Sequence, residues 1–229
     1  MSIPRKENML IRRTWYTVWI TLYQIIKLYE RMIRVDASYQ LPFCASRDDP
    51  APIFSAEAYM NGQISTLNSE DFLGKWIILF FYASDFTFVW PTELAAVAAL
   101  YPQFRDLNAD VFGISTDSIY AHKVFKDISP SARKVQFPLI SDRNQQISRS
   151  YRAFDEDTGT AFRATVIVDP EGIIVSKSIY PREVGRNSYE ILRLLQGIQF
   201  GRETNLGVPA NWVPGMGGIE RRTEDIGKI

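Results

Sequence analysis

Very little of the chemistry that organises proteins from outside a hydrophobic core is available to this chain. Its 229 residues include one cysteine, Cys44, and one histidine, His122. A single thiol cannot close a disulfide within the chain, nor can it assemble the cysteine clusters that hold structural zinc or iron–sulfur centres. With one imidazole beside it, neither a metal site nor a cofactor is expected. Net charge is absent as well, because 26 Lys and Arg offset 26 Asp and Glu, and a neutral chain is not drawn to nucleic acid by its field. There is no small-residue cleavage site of a secretory signal near the start, no internal repeat and no low-complexity tract. What is present is apolar material: 46% of the residues are hydrophobic and 13% aromatic, enough for one large folded domain with an appendage.

The neutral total conceals a division. Residues 1–34 hold Arg5, Lys6, Arg12, Arg13, Lys27, Arg31 and Arg34 against Glu7 and Glu30, a net of +5, which leaves −5 on the remainder. Within this segment Ile11, Trp15, Val18, Leu22, Ile25, Tyr29 and Met32 recur at spacings of four and three, and this period places them on one stripe of a helix over 9–34. Trp19 and its neighbours widen the stripe. The uncharged run from Thr14 to Ile26 is 13 residues, short of the roughly 20 that cross a bilayer, so a helix docked on a partner protein, on a membrane surface or on its own oligomer is expected. Ile11, Trp15, Val18, Trp19, Leu22, Ile25 and Tyr29 are its candidate contacts. An Arg-rich, acid-poor amphipathic start also has the composition of an organellar transit peptide, and that reading stays open. A cytoplasmic or organellar-matrix protein is expected, with membrane association through 9–34 as an open addition, and not a secreted one.

A linker over 35–50 follows, with Pro42 and Pro50 and the charged Arg47-Asp48-Asp49. From residue 51 the pattern alternates. Residues 76–82 form an apolar run of strand length, 91–107 a helix with Pro91 in its first turn, and 111–115 a second buried strand. A helix over 119–128, a strand at 137–140, a helix at 144–152, strands at 164–168 and 173–179 joined by Asp169-Pro170-Glu171-Gly172, and a helix over 187–199 complete the series. Strands interleaved with helices and ending in a hairpin predict an α/β three-layer domain over 51–201 with a mixed sheet, followed by a tail over 202–229.

The run Phe80-Phe81-Tyr82-Ala83-Ser84-Asp85-Phe86-Thr87-Phe88-Val89-Trp90-Pro91-Thr92-Glu93 resembles the active-site loop of the typical two-cysteine peroxiredoxins, the alkyl hydroperoxide reductase type. Similar segments follow in order: Gly113 to Ser118 with His122, Phe137 to Asp142, Arg163-Ala164-Thr165, Gly185-Arg186, and Pro209-Ala210-Asn211-Trp212 in the tail. The resemblance covers about residues 50–215 and implies a thioredoxin-type fold, assembly into dimers through the strand near 173–179, and further gathering into rings.

The resemblance also implies a chemistry that the residues do not support. Such enzymes attack the peroxide bond with a thiolate at a helix N-terminus, where the dipole and a nearby Arg lower the thiol pKa. The matching position here is Trp90, the second cysteine is matched by Val208, and a proline is replaced by Ala83. Thr87, Trp90, Glu93, Arg163 and Arg186 are therefore expected as the frame of a former site with no catalytic residue in it. The reading that follows is an inactive peroxiredoxin-like protein acting as a structural, scaffolding or assembly subunit, within a homo-oligomer or a larger complex. Two alternatives stand beside it: an active peroxidase with selenocysteine, encoded by UGA, misread as Trp at position 90, and a module binding a small anion in the former pocket. His122 is expected as a packing residue, and Cys44, outside both family cysteine positions, as an unremarkable thiol.

Overall fold

The computed structural model describes residues 44–227; the helix expected over 9–34, with all its candidate contacts, and most of the linker lie outside the described residues. The strands are β1 (Ser55–Met60), β2 (Gln63–Asn68), β3 (Trp76–Phe81), β4 (Ala109–Ser115), β5 (Leu139–Ser141), β6 (Phe154–Asp155), β7 (Thr160–Ala161), β8 (Arg163–Val168) and β9 (Ile174–Tyr180). The helices are α1 (Trp90–Asp106), α2 (Ile119–Ile128), α3 (Gln146–Ser150) and α4 (Ser188–Thr204). None of these helices is long and apolar enough to cross a membrane.

Every residue of β3 and β4 is buried, because a strand covered on both faces needs apolar side chains at each position instead of at alternate ones. The pleat sends Trp76, Ile78 and Phe80 to one face and Ile77, Leu79 and Phe81 to the other. On the first face they meet Leu94, Val97 and Phe104 of α1 and Ile191, Leu192 and Leu195 of α4; on the second they meet Ile147 of α3 and Tyr151. The sheet order is β2-β1-β5-β4-β3-β8-β9. β3, β4 and β5 run parallel, while β8 and β9 on one side and β1 and β2 on the other are antiparallel to their neighbours. The mixed, three-layer arrangement expected from the alternation of elements is the one formed.

Several differences have local causes. The hairpin β1–β2 was absent from the sequence reading although Asn61-Gly62, both at positive φ, is a strong two-residue turn signal. Five of the six residues of β2 are exposed, so no alternation of apolar and polar residues marks it. Residues 48–50, expected as linker, and Ala51, the expected start of the domain, pair along the β8–β9 turn through Asp48 N–H to Ile174 O at 2.8 Å and Ala51 N–H to Gly172 O at 2.8 Å. The helix expected over 144–152 shrinks to α3, whose amides of Ile147 and Ser148 both donate to the buried Asp142 carboxylate. The last helix runs past 199 to Thr204, where Asn205 takes the left-handed conformation that ends it.

At the other end of α4 the Asn187 side chain accepts from the amides of Tyr189 and Glu190. Replacing it with Ala, Asn187→Ala, is expected to lower unfolding free energy by about 1 kcal/mol, as read from a urea titration with an unchanged slope.

Candidate functional site

The end of β3 runs into a loop, residues 82–89, that leads directly into α1. Two carboxylates hold it, one half-buried and one wholly buried. Asp117, from the turn between β4 and α2, accepts from the Asp85 amide at 2.9 Å, the Ser84 hydroxyl at 3.0 Å and the Ser115 hydroxyl at 2.8 Å. Asp85 itself turns inward and is wholly buried. Its Oδ1 accepts from the Tyr82 hydroxyl at 2.7 Å and its Oδ2 lies 2.7 Å from His122 Nδ1, while His122 Nε2 donates to the Ile140 carbonyl at 3.1 Å. Both ring nitrogens thus face acceptors, and a proton lies between His122 and Asp85. Burial, reinforced by the Asp85 charge, raises the Tyr82 phenol well above its ordinary value, which keeps it a neutral donor. His122 does pack, as expected, but as a buried hydrogen-bonding group that fixes the loop. Asp85 was not singled out in the sequence; an acidic residue inside the run Phe-Phe-Tyr-Ala-Ser-Asp-Phe was the available signal.

Trp90 opens α1 with Pro91 behind it. Its indole is 1% exposed and lies flat on Tyr82, ring centroids 3.8 Å apart and planes within 10°. It reaches over β4, where a Cβ at Gly113 would stand in ordinary contact with Trp90 Cζ2 at 3.7 Å, the conflict at that position being with Leu139 Cδ2 at 2.9 Å. Its Nε1 is buried without a hydrogen-bond partner among the described residues, an uncommon cost for a buried donor.

Beside the indole lies an ionic cluster drawn from three parts of the chain. Glu93, one turn along α1, accepts through Oε1 from the Arg186 amide at 2.7 Å and its Nε at 2.9 Å, and Arg163 of β8 pairs with Oε2. Arg186 Nη1 donates to the carbonyls of Phe81 at 3.1 Å and Ala164 at 2.8 Å, stitching β3 to β8 where the sheet opens toward the loop. Two guanidinium groups share one carboxylate, which leaves a net positive charge beneath the surface. Burial draws the Arg186 guanidinium down from its ordinary value, with the Glu93 charge acting against it. The aromatic faces of Phe80 and Trp90, at 4.8 and 5.5 Å from its Cζ, supply the remaining negative potential.

Of the five residues expected to frame the site, Trp90, Glu93, Arg163 and Arg186 are brought together. Thr87 stands apart on the exposed side of the loop, where its hydroxyl donates to the Ser84 carbonyl at 3.1 Å. Val208 lies in the tail, packed at the backbone of Gly197 and Gly201 on α4. Cys44 is exposed at the start of the described residues. No group of His, Cys, Asp or Glu among the described residues is placed to hold a metal ion.

Removing the shared carboxylate, Glu93→Gln, strands two cations in a low-dielectric site and is expected to cost about 3–5 kcal/mol, against less than about 0.5 kcal/mol for the exposed Glu156→Gln. For the indole, Trp90→Ala is expected to cost about 3–5 kcal/mol and Trp90→Phe clearly less, since the stack and the face toward Arg186 persist. Chemical denaturation of the four variants separates these outcomes.

The AhpC/TSA family matches residues 48–177. Over 168 residues the chain is 38% identical to a thioredoxin peroxidase of Fasciola hepatica, spanning 72% of this chain and 87% of that one. It is 37% identical to a selenocysteine-containing peroxiredoxin, PrxU, of Peptoclostridium acidaminophilum, over 72% of this chain and 84% of the other. The crystal structure of Enterococcus faecalis AhpC superposes with a TM-score of 0.69 at 39% identity, covering 71% of this chain and 98% of its own. The fold agrees with that likeness, and the chain belongs to the AhpC/TSA family of peroxiredoxins.

Proposed function

We propose that this chain is a peroxiredoxin-fold protein without peroxidase activity, serving as a structural or assembly subunit that docks through its N-terminal segment. The observation that carries the reading is residue 90. In the family resemblance this is the position of the attacking thiolate, and here it is an indole that is 1% exposed and stacked on Tyr82. An indole has no ionisable nucleophile near neutral pH and cannot attack an O–O bond. Its bulk also takes the room beside Arg186 in which a peroxide would be oriented. The position of the second family cysteine holds Val208, so no thiol stands there to resolve an oxidised intermediate.

Two surfaces support assembly. β9 is the last strand of the sheet; residues 48–49 pair with its first residue, Ile174, beyond which no strand lies on its outer side among the described residues, and an edge left open in this way favours pairing with a second copy. Phe86, Phe88, Tyr120, Val124 and Ile128 are exposed on the site loop and the outer face of α2, with Phe88 97% exposed; an apolar group of this size is more common at an interface than on free surface. For the N-terminal segment, the stripe of Ile11, Trp15, Val18, Trp19, Leu22, Ile25 and Tyr29 fits a partner helix or groove, and its flanking basic residues fit an anionic membrane surface less completely.

A second reading rests on the similarity to the selenocysteine-containing PrxU. A selenol at position 90 would supply the missing nucleophile, and a codon read as Trp would hide it. Ala83 and Val208 count against this reading, since neither is touched by such a misreading.

Purified protein whose residue 90 is verified as Trp by mass spectrometry is expected to consume no hydroperoxide above background in the presence of a thiol reductant. Turnover by Trp90-containing protein would overturn the proposal, and selenium found at 90 would establish the second reading. Sedimentation at micromolar concentration is expected to give a dimer or larger assembly. Deleting residues 1–34 is expected to leave the domain folded while releasing it from the particle or membrane with which the full chain fractionates; unchanged fractionation would remove the docking role.

A further inference from the structure

Beneath the site loop four side chains form one buried series: Trp90, Tyr82, Asp85 and His122, none more than 1% exposed. At one end an indole and a phenol lie face to face, ring centroids 3.8 Å apart. At the other the Tyr82 hydroxyl donates to Asp85 Oδ1 at 2.7 Å, Asp85 Oδ2 lies 2.7 Å from His122 Nδ1, and His122 Nε2 donates to the Ile140 carbonyl. Two electron-rich rings in contact thus adjoin a relay of proton acceptors, with no water-exposed group between them.

A phenol gives up an electron readily only when its hydroxyl proton leaves at the same time, because the phenol radical cation is a very strong acid. Burial holds Tyr82 in its protonated form, so no phenolate is present to be oxidised, and a base must already be in place. Asp85 is that base. Among the described tyrosines Tyr82 alone gives its hydroxyl to a carboxylate; the similarly buried Tyr151 donates to the Pro52 carbonyl, a far weaker acceptor of a proton.

Trp90 is set up in the opposite sense. An indole that has lost an electron is stabilised by losing its Nε1 proton, and Trp90 Nε1 is buried with no acceptor among the described residues. The Arg186 guanidinium, 5.5 Å from the ring, favours electron density on the indole and opposes a positive charge there. An electron vacancy that reaches Trp90 is therefore not held, and the ring stacked on it has the base that Trp90 lacks.

We propose that this series is a one-electron redox site, in which Trp90 loses an electron to an oxidising radical outside the protein and Tyr82 refills it, becoming a tyrosyl radical sheltered from solvent. In the first step the external radical gains one electron and leaves the Trp90 radical cation. In the second, Tyr82 passes an electron to Trp90, its hydroxyl proton moves to Asp85 Oδ1, and the proton between Asp85 Oδ2 and His122 settles on His122 Nδ1. The products are a neutral indole, a neutral tyrosyl radical, a carboxylic acid and an imidazolium, which carries the single positive charge that the radical cation held. No sulfur takes part, so the activity is independent of a peroxidatic cysteine.

The test exposes full-length protein, verified as Trp at residue 90, to azidyl radicals in pulse radiolysis; these oxidise indoles by one electron. Indole radical absorption is expected to give way to tyrosyl radical absorption at a rate independent of protein concentration, and more slowly in deuterium oxide, since a proton moves with the electron. Freeze-quenched high-field electron paramagnetic resonance is expected to show one narrow tyrosyl component with a hydrogen-bonded oxygen. Tyr82→Phe, which keeps the stack, is expected to abolish that component and leave indole radicals that persist. Trp90→Phe is expected to slow its formation, and Tyr189→Phe, at a side chain 71% exposed, to change neither. A broad tyrosyl signal that survives Tyr82→Phe would place the radical on surface tyrosines and overturn the assignment, as would decay that depends on protein concentration, no isotope effect, or formation undiminished in Trp90→Phe. The narrow component and the isotope effect are read on the unaltered chain, so they decide the matter even where Tyr82→Phe fails to fold.

Discussion

A carboxylate cannot be buried alone, and the placement of Glu93 determines much of what surrounds it. Its two oxygens are shared by Arg163 of β8 and by Arg186, both its side chain and its backbone amide. Through those groups the first turn of α1, the entrance of β8 and the approach to α4 are fixed to one another, although they are separated by as many as 93 residues in sequence. The Arg186 guanidinium extends the same linkage to the carbonyls of Phe81 and Ala164. None of these partners can be dropped singly without leaving a buried charge or donor uncompensated. A cluster of this kind is therefore held in place for structural reasons, and its presence alone is not evidence of catalysis.

The cluster also bears on what can stand at residue 90. With two cations on one anion, the site is electropositive, and a thiolate would balance it. An indole balances it differently, through the face presented to Arg186, while its stack on Tyr82 continues the aromatic layer into the Asp85–His122 pair. Aliphatic residues would fill the volume without offering negative potential. The unpaired Nε1 is the residual cost of this solution.

How much of this was legible beforehand differs by element. β3 and β4 were plain because a doubly covered strand is apolar at nearly every position, and α1 was marked by Pro91 in its first turn. The β1–β2 hairpin was not, since an edge strand with five exposed residues carries no alternation and only Asn61-Gly62 announces the turn. At the site, Glu93, Arg163 and Arg186 were reached through resemblance, because residues so far apart in sequence have no local pattern that joins them. Thr87 was grouped with them on the same ground and stands apart, its hydroxyl engaged within its own loop. Asp85 passed unremarked because burial of an acid is decided by a partner, His122, 37 residues away.

The coplanar contact of Tyr82 and Trp90 has an optical consequence. A phenol held flat against an indole at 3.8 Å passes its excitation to the indole, and an indole that is both shielded from water and without a hydrogen bond at Nε1 emits toward the blue. Trp90 is one of five tryptophans, and among the described residues it alone sits between a tyrosine face and a guanidinium. The fold thus contains its own fluorophore pair, placed at the point where the loop, α1 and the ionic cluster meet, and any loosening of that junction would be visible as a red shift without a label being attached.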